Sequence, residues 1–309
     1  MKTVSDAKVG SADFLQVEES EKTTFRNPEA SKAKPGITRF KTVCAFFKNG
    51  TCSKTLMTVL DRELGQPMKL EEQATDPLAG GMMQGYQCGM LWGSTLAAGA
   101  QAYQLFGAGP QAEAQAMMSA QKLVQSFRAQ NKHINCIEIR ETDPRKKWQV
   151  FWNFLVKGGT FRCASRAADF APEAMAEIRT SLSEEPKQSS CQPASCAAKL
   201  AKRMGASDQH AVMAAGFAGG IGMSGGGCGA LGAAIWILGM NGRKQGLSNK
   251  VINARISELI ERFLKSANYE FECEEIVGRK FESIDDHAAH LHAGGCSNII
   301  DALAASLQQ

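Results

Sequence analysis

The feature that most constrains this 309-residue chain is that it is written twice. Gly80-Gly81-Met82-Met83 leads into Cys88-Gly89-Met90-Leu91-Trp92-Gly93. Gly219-Gly220-Ile221-Gly222 leads into Cys228-Gly229-Ala230-Leu231-Gly232-Ala233. A long charged stretch follows each run, and then a short Cys-x-Glu-Ile element: Cys136-Ile137-Glu138-Ile139 in the first copy, Cys273-Glu274-Glu275-Ile276 in the second. Cys52 precedes Leu56 and Gly65 much as Cys196 precedes Leu200 and Gly205. Cys163 follows Gly158-Gly159 as Cys296 follows Gly294-Gly295. The cysteines Cys52, Cys88, Cys136 and Cys163 are separated by 36, 48 and 27 positions. Cys196, Cys228, Cys273 and Cys296 are separated by 32, 45 and 23. Eight of the ten cysteines thus recur in one order with nearly matched spacing, so one module is built twice. Cys44 and Cys191 stand outside this frame and read as free thiols.

Within each copy the apolar spacing is helical. Leu56, Val59, Leu60 and Leu64 predict a helix from Cys52 that Gly65 stops. Further helices are predicted over Ala112 to Gln130, around Trp148, Phe151, Trp152 and Leu155 up to Gly158-Gly159, and over Ala164 to Leu182. In the second copy the pattern predicts helices over Ala194 to Met204, Asp208 to Ala218, Gly227 to Met240 and Ser248 to Ala267. Ser207 or Asp208 is the expected N-cap of the second of these. Strand signals are scarce. The predicted fold class is all-α, with two tandem helical modules at 46–182 and 189–309 and an irregular N-terminal arm over 1–45. A polar, proline-broken linker, Ser183 to Ser190, separates the modules.

Composition removes several function classes. With 44% hydrophobic and 21% charged residues the chain can bury a core and is not disordered by composition. A net charge of +4 without a dense Lys/Arg stripe argues against nucleic-acid binding. Ala211 to Met240 and Ala79 to Ala112 are uncharged and long enough to span a bilayer. Gly219-Gly220, Gly222 and Gly225-Gly226-Gly227 nevertheless break the former into two short helices around a loop, which lipid could not accommodate. A buried helix–loop–helix is expected instead. Met1 to Asp13 has no apolar leader, so a cytoplasmic location is expected. In that reducing setting the cysteines are read as free thiols, metal ligands or catalytic pairs.

The glycine loop next to Cys228 has chemistry of its own. Gly219, Gly220, Gly226, Gly227 and Gly229 let main-chain N–H groups approach a thiolate or a sulfide-rich anion. A helix starting near Cys228 would point its free N–H groups and positive dipole end at the same sulfur and favour the thiolate. Four dispersed thiolates per copy, with no Cys-x-x-Cys knuckle, suit a [2Fe–2S] or [4Fe–4S] centre: Cys52, Cys88, Cys136 and Cys163 for one, Cys196, Cys228, Cys273 and Cys296 for the other. Two alternatives stay open. One is a thiol–disulfide oxidoreductase with Cys228 as nucleophile. The other is a zinc or copper(I) thiolate protein. His287, His290 and His292 read as polar surface or helix-end residues, since the first copy has no counterpart. No P-loop and no dinucleotide fingerprint occurs, no residue is assigned as catalytic, and whether the chain is an enzyme stays open. The redox partner and any self-association are not specified by these residues.

The stretch Ala215 to Gly222 with Cys228 to Ala233 resembles the C_GCAxxG_C_C family of candidate redox-active proteins. Cys196, Cys273 and Cys296 look like that family's first, third and fourth cysteines. The resemblance covers about 189 to 309 closely and 46 to 182 more loosely. It implies a small helical module, and through a relation to split-Soret cytochromes an iron–sulfur or electron-transfer role. The first copy departs from the pattern at Met90-Leu91-Trp92, where small residues are expected.

Overall fold

The computed structural model describes residues 36–143, 145–146, 148–149, 151–152, 158–184 and 194–307. Residues 1–35, most of the linker, Cys191 and Leu155 lie outside these.

The first half runs α1 (Arg39–Asn49), α2 (Cys52–Leu64), α3 (Lys69–Ala74), α4 (Gly89–Phe106), α5 (Pro110–Asn131), α6 (Cys136–Arg140) and α7 (Gly159–Ser183). The second runs α8 (Cys196–Arg203), α9 (Asp208–Ala215), α10 (Gly229–Lys244), α11 (Asn249–Ser266), α12 (Cys273–Val277), α13 (Ile284–His292) and α14 (Ser297–Ala304). Among the described residues there is no strand, only two isolated bridges, Gln87 with Asn135 and Gly227 with Glu272. The bridges occupy equivalent places in the two halves. The all-α, duplicated fold is therefore as expected.

Local chemistry sets the helix ends. Side-chain oxygens of Thr38, Ser195, Ser207, Ser248 and Ser283 accept N-terminal backbone N–H groups and start α1, α8, α9, α11 and α13. Gly65 ends α2 in the left-handed region, as the sequence signal required. Helix α1 begins inside the stretch expected to be an irregular arm. Its thirteen-residue neighbour α2 is one turn longer than its counterpart α8, which has eight residues.

The two halves lie in one compact unit, Gly36–Gln309. Each gives its central helix to the other half's small helix: α4 packs on α9, and α10 packs on α3. Glycines in equivalent positions permit both crossings. A Cβ on Gly99 would stand 2.5 Å from the Met213 backbone, and one on Gly239 would stand 3.1 Å from the Ala74 carbonyl. A single apolar core therefore runs through both copies, from Leu56, Leu60 and Trp92 to Phe217, Trp236 and Phe263. No helix among the described residues is long and apolar enough to cross a membrane. The uncharged stretches hold core helices, buried by their own half and by the other.

One periodic stretch differs from expectation. Trp148, Phe151 and Trp152 share the spacing of a buried helical face, yet Trp148 is 84% exposed and the other two are also exposed. Spacing alone does not say what, if anything, covers a face.

Candidate functional site: a four-cysteine corner in each half

Seven of the eight repeated cysteines stand at a helix start. Cys52, Cys136, Cys196 and Cys273 are the first residues of α2, α6, α8 and α12. Cys88, Cys228 and Cys296 are the N-caps of α4, α10 and α14. Cys163 lies in the first turns of α7. A helix start is where backbone N–H groups have no intrahelical acceptor, and the Cys52, Cys88, Cys196 and Cys228 sulfurs meet such donors.

The same short ladder fastens both corners. Cys88 N–H donates to the Ile134 carbonyl at 2.7 Å and Cys136 N–H to the Tyr86 carbonyl at 2.6 Å. Cys228 N–H donates to the Phe271 carbonyl at 2.9 Å and Cys273 N–H to the Gly226 carbonyl at 2.6 Å. The second and third cysteines of each half are thus held side by side. In the first half the first cysteine comes in over a glycine: a Cβ at Gly89 would stand 2.6 Å from the Cys52 sulfur.

The thiols of each half share one electrostatic environment. In the first half Cys88 donates to Cys52, and this bond, with the Gly80 and Ser53 N–H groups, draws Cys52 below the ordinary thiol range. The same bond, together with burial, pushes Cys88 up. Burial pushes Cys136 to about 12, helped by the charge of Cys52 and opposed by the Arg140 guanidinium. Cys163 is also raised by burial, with Cys52 adding and Arg140 opposing. In the second half burial raises all four. Cys196 feels Cys228 and Cys296, and Cys273 feels the other three as well as Glu274. Cys228 is pushed to about 12 despite the Leu231 and Ala230 N–H groups that favour its thiolate. The donors expected at the Cys228 helix start are present, but burial outweighs them and the free thiol stays protonated at neutral pH.

The proposed glycines divide by what they face. Gly219 N–H is directed at the Cys196 sulfur, as Gly80 N–H is at Cys52. A side chain on Gly229 would collide with the Phe217 carbonyl, and one on Gly220 with the Gly226 backbone. Gly226 and Gly227 face the other copy. A Cβ on Gly226 would overlap the Gln87 amide nitrogen, and one on Gly227 would stand 2.9 Å from the Gln87 oxygen. Gly232 leaves room for the Trp92 ring in the same way. The Trp92 ring also lies edge-on to Phe217, and its indole N–H donates to the Gln87 carbonyl at 3.0 Å. Trp92, the departure noted in the first copy, therefore fills the junction between copies.

Three residues beside the sulfurs were not singled out as site residues from sequence. Arg140, one turn after Cys136, reaches Cys136 and Cys163; its counterpart after Cys273 is Val277. His290 Nε2 lies 3.7 Å from the Cys296 sulfur, and the two border a cavity of about 180 Å³ with Asn268, Asn298 and Val277. Gln87 replaces Gly227 of the other copy. In each case the available signal was a mismatch between the two copies at an aligned position. His287 is structural: it is buried, burial draws it down to about 4, and its Nδ1 lies 3.1 Å from the Ala194 carbonyl. Cys44 is exposed on α1. Among the described residues no group of three or more His, Cys, Asp or Glu side chains is placed to hold a single metal ion.

A helical body with two equivalent corners of clustered thiols, each lined by backbone N–H groups, defines a class of thiol-centred protein. The family described as "Putative redox-active protein (C_GCAxxG_C_C)" matches residues 50–177 and again 190–309, and the chain belongs to that family in two copies. Neither the curated proteins nor the solved structures contain a match to the chain. Gly227-Cys228-Gly229-Ala230-Leu231-Gly232 follows the GCAxxG element with Gly229 in place of alanine. The first copy has Gln87 and Trp92 where that element has its two glycines.

Proposed function

We propose that each corner holds an iron–sulfur cluster and that the chain is an electron-transfer or redox-sensing protein. The supporting observation is the repetition of the corner itself: four thiols in one electrostatic environment, at helix starts, with N–H groups of Gly80, Ser53 and Met90 aimed at sulfur in one half and of Gly219, Ala230 and Leu231 in the other. Thiolates carry the negative charge of a cluster, and N–H donors to sulfur stabilise it. A polynuclear centre would hold its four sulfurs apart by the width of its core. A zinc ion would gather four sulfurs at about 2.3 Å from one point. Cys52, Cys88, Cys136 and Cys163 would hold one cluster, and Cys196, Cys228, Cys273 and Cys296 the other. Such a group supplies one-electron chemistry when bound. The chain's own part is to bury the sulfurs, exclude water and set the local charge.

Dithiol chemistry is a second reading, and a specific observation favours it in the first half. Cys52 accepts the Cys88 thiol proton in a hydrogen bond, which prepares Cys52 to attack a disulfide and Cys88 to resolve the mixed disulfide that results. This reading makes Cys52 the nucleophile, in place of Cys228.

Anaerobic purification separates the two. Brown protein containing iron and acid-labile sulfide supports the cluster. Colourless protein whose mass falls by two hydrogens on oxidation, reversibly and with Cys52 and Cys88 linked, supports the dithiol and contradicts the cluster.

A further inference from the structure

The two corners are closer to each other than their separation in sequence suggests. Gln87 immediately precedes Cys88, and Gly227 immediately precedes Cys228. The fully buried Gln87 side chain accepts the Gly227 N–H at 2.8 Å and donates to the Gly220 carbonyl at 2.7 Å. From standard bond lengths and that one hydrogen bond, the Cα atoms of Cys88 and Cys228 are at most about 17 Å apart. A second connection runs beside the first. The rings of Tyr86 and Phe271 stack in parallel with centroids 4.2 Å apart. The Tyr86 carbonyl accepts the Cys136 N–H, and the Phe271 carbonyl accepts the Cys228 N–H. Each ring thus belongs to a residue bonded directly to a cysteine of one corner, and the two rings touch.

Gln87 is buried among core residues, and both polar ends of its amide are used on the other half's glycine loop. The loop has no side chains at Gly226 and Gly227 to keep it away.

On these grounds, and resting on the cluster reading above, we infer that Gln87 and the Tyr86–Phe271 pair join the two corners into one redox unit, along which an electron passes between halves. The balance is simple: one half loses an electron, the other gains it, and no bond forms or breaks. The electron enters from a low-potential one-electron reductant outside the chain. The local charges differ between the ends. Arg140 stands beside the first corner, where the second has Val277, and Glu274 stands beside Cys273. Positive charge favours the more reduced state, so the electron comes to rest in the first half.

The test uses the full chain, purified without oxygen and reduced stepwise with dithionite, followed by EPR. When both halves are reduced, the spectrum is expected to be broadened by interaction between them, beyond the sum of the spectra of the Cys88→Ala and Cys228→Ala chains. After flash reduction by a photoexcited dye, the electron is expected to redistribute at a rate independent of protein concentration. Tyr86→Leu, which removes the stacked ring and keeps the backbone carbonyl that accepts the Cys136 N–H, should slow that step while iron and sulfide content stay unchanged. Should that variant not fold, the spectrum and the concentration dependence of the unaltered chain still decide. Additive spectra, or a redistribution rate proportional to protein concentration, overturn this inference and leave the cluster reading standing. Protein with neither iron nor sulfide overturns both.

Discussion

The two halves fold alike but are finished differently where they meet. The first supplies bulk: Tyr86, Gln87 and Trp92. The second supplies glycine at the aligned positions: Gly226, Gly227 and Gly232. In two identical copies related by a twofold axis, each position at the axis faces itself, and a large residue there would clash with its own copy. Joining the copies in one chain lifts that constraint. One half can grow into the space that the other leaves empty. The junction teaches that the glycines of this loop divide their duties: Gly219 brings its N–H to the Cys196 sulfur, whereas Gly226 and Gly227 admit the side chains of the partner copy.

The largest expected effect breaks this complementarity. Trp92→Gly empties a fully buried ring site and should cost about 3–5 kcal/mol in denaturant unfolding. Gly232→Trp alone overfills the same junction. The exchange Trp92→Gly with Gly232→Trp should recover part of the loss, because the ring then enters from the opposite half. A double variant no more stable than the worse single one contradicts the pseudo-twofold relation. Next in size is Gln87→Ala, which leaves the Gly227 N–H and Gly220 carbonyl without their buried partner. Each unmet group costs about 1–3 kcal/mol. Gln87→Glu keeps the acceptor and loses the donor, so it separates the two bonds.

A smaller effect lies in the extra turn of α2. Asp61 is fully buried there and neither carboxylate oxygen has a hydrogen-bond partner among the described residues. Burial, with Glu72 and Glu71 nearby, holds its carboxyl well above the ordinary 3.8. The folded chain therefore keeps a proton that the unfolded chain releases. This group's contribution to stability is complete below the ordinary value and falls as pH rises toward the raised one. Thermal unfolding across that range should show the decline, and Asp61→Asn should flatten it. A slope unchanged in the variant assigns the effect elsewhere.

The smallest effect concerns protons alone. In the metal-free chain, thiolate absorbance in the ultraviolet should report one proton released below the ordinary thiol range from the first half and none from the second. Cys88→Ala should move that step upward, because Cys52 loses the hydrogen bond that favours its thiolate. If the step stays in place in Cys88→Ala but vanishes in Cys228→Ala, the contrast drawn between the halves is reversed.

Much of this was legible in the chain. Recurring cysteines exposed the duplication, Leu56, Leu60 and Leu64 with Gly65 marked α2, and Ser207 marked the start of α9. Each of those signals is local, or repeats along the chain. What was not legible depends on contacts between distant segments. The Gly226–Gln87 and Gly232–Trp92 pairs are complementary only across the junction. Helix α1 carries apolar residues such as Phe40, Val43 and Phe47, but only Thr42 and Phe46 of its eleven are buried, so its sequence shows no buried face to mark it. Cys228 has the N–H donors that its helix start implied, yet its free thiol is held protonated by burial, a tertiary property that local sequence does not carry.

The most direct test is to count iron and acid-labile sulfide per chain in oxygen-protected protein, for the unaltered sequence and for Cys88→Ala and Cys228→Ala separately. Two equivalent corners predict that each variant keeps half of both. A variant that retains the full content, or a single variant that loses all of it, contradicts the presence of one centre in each half.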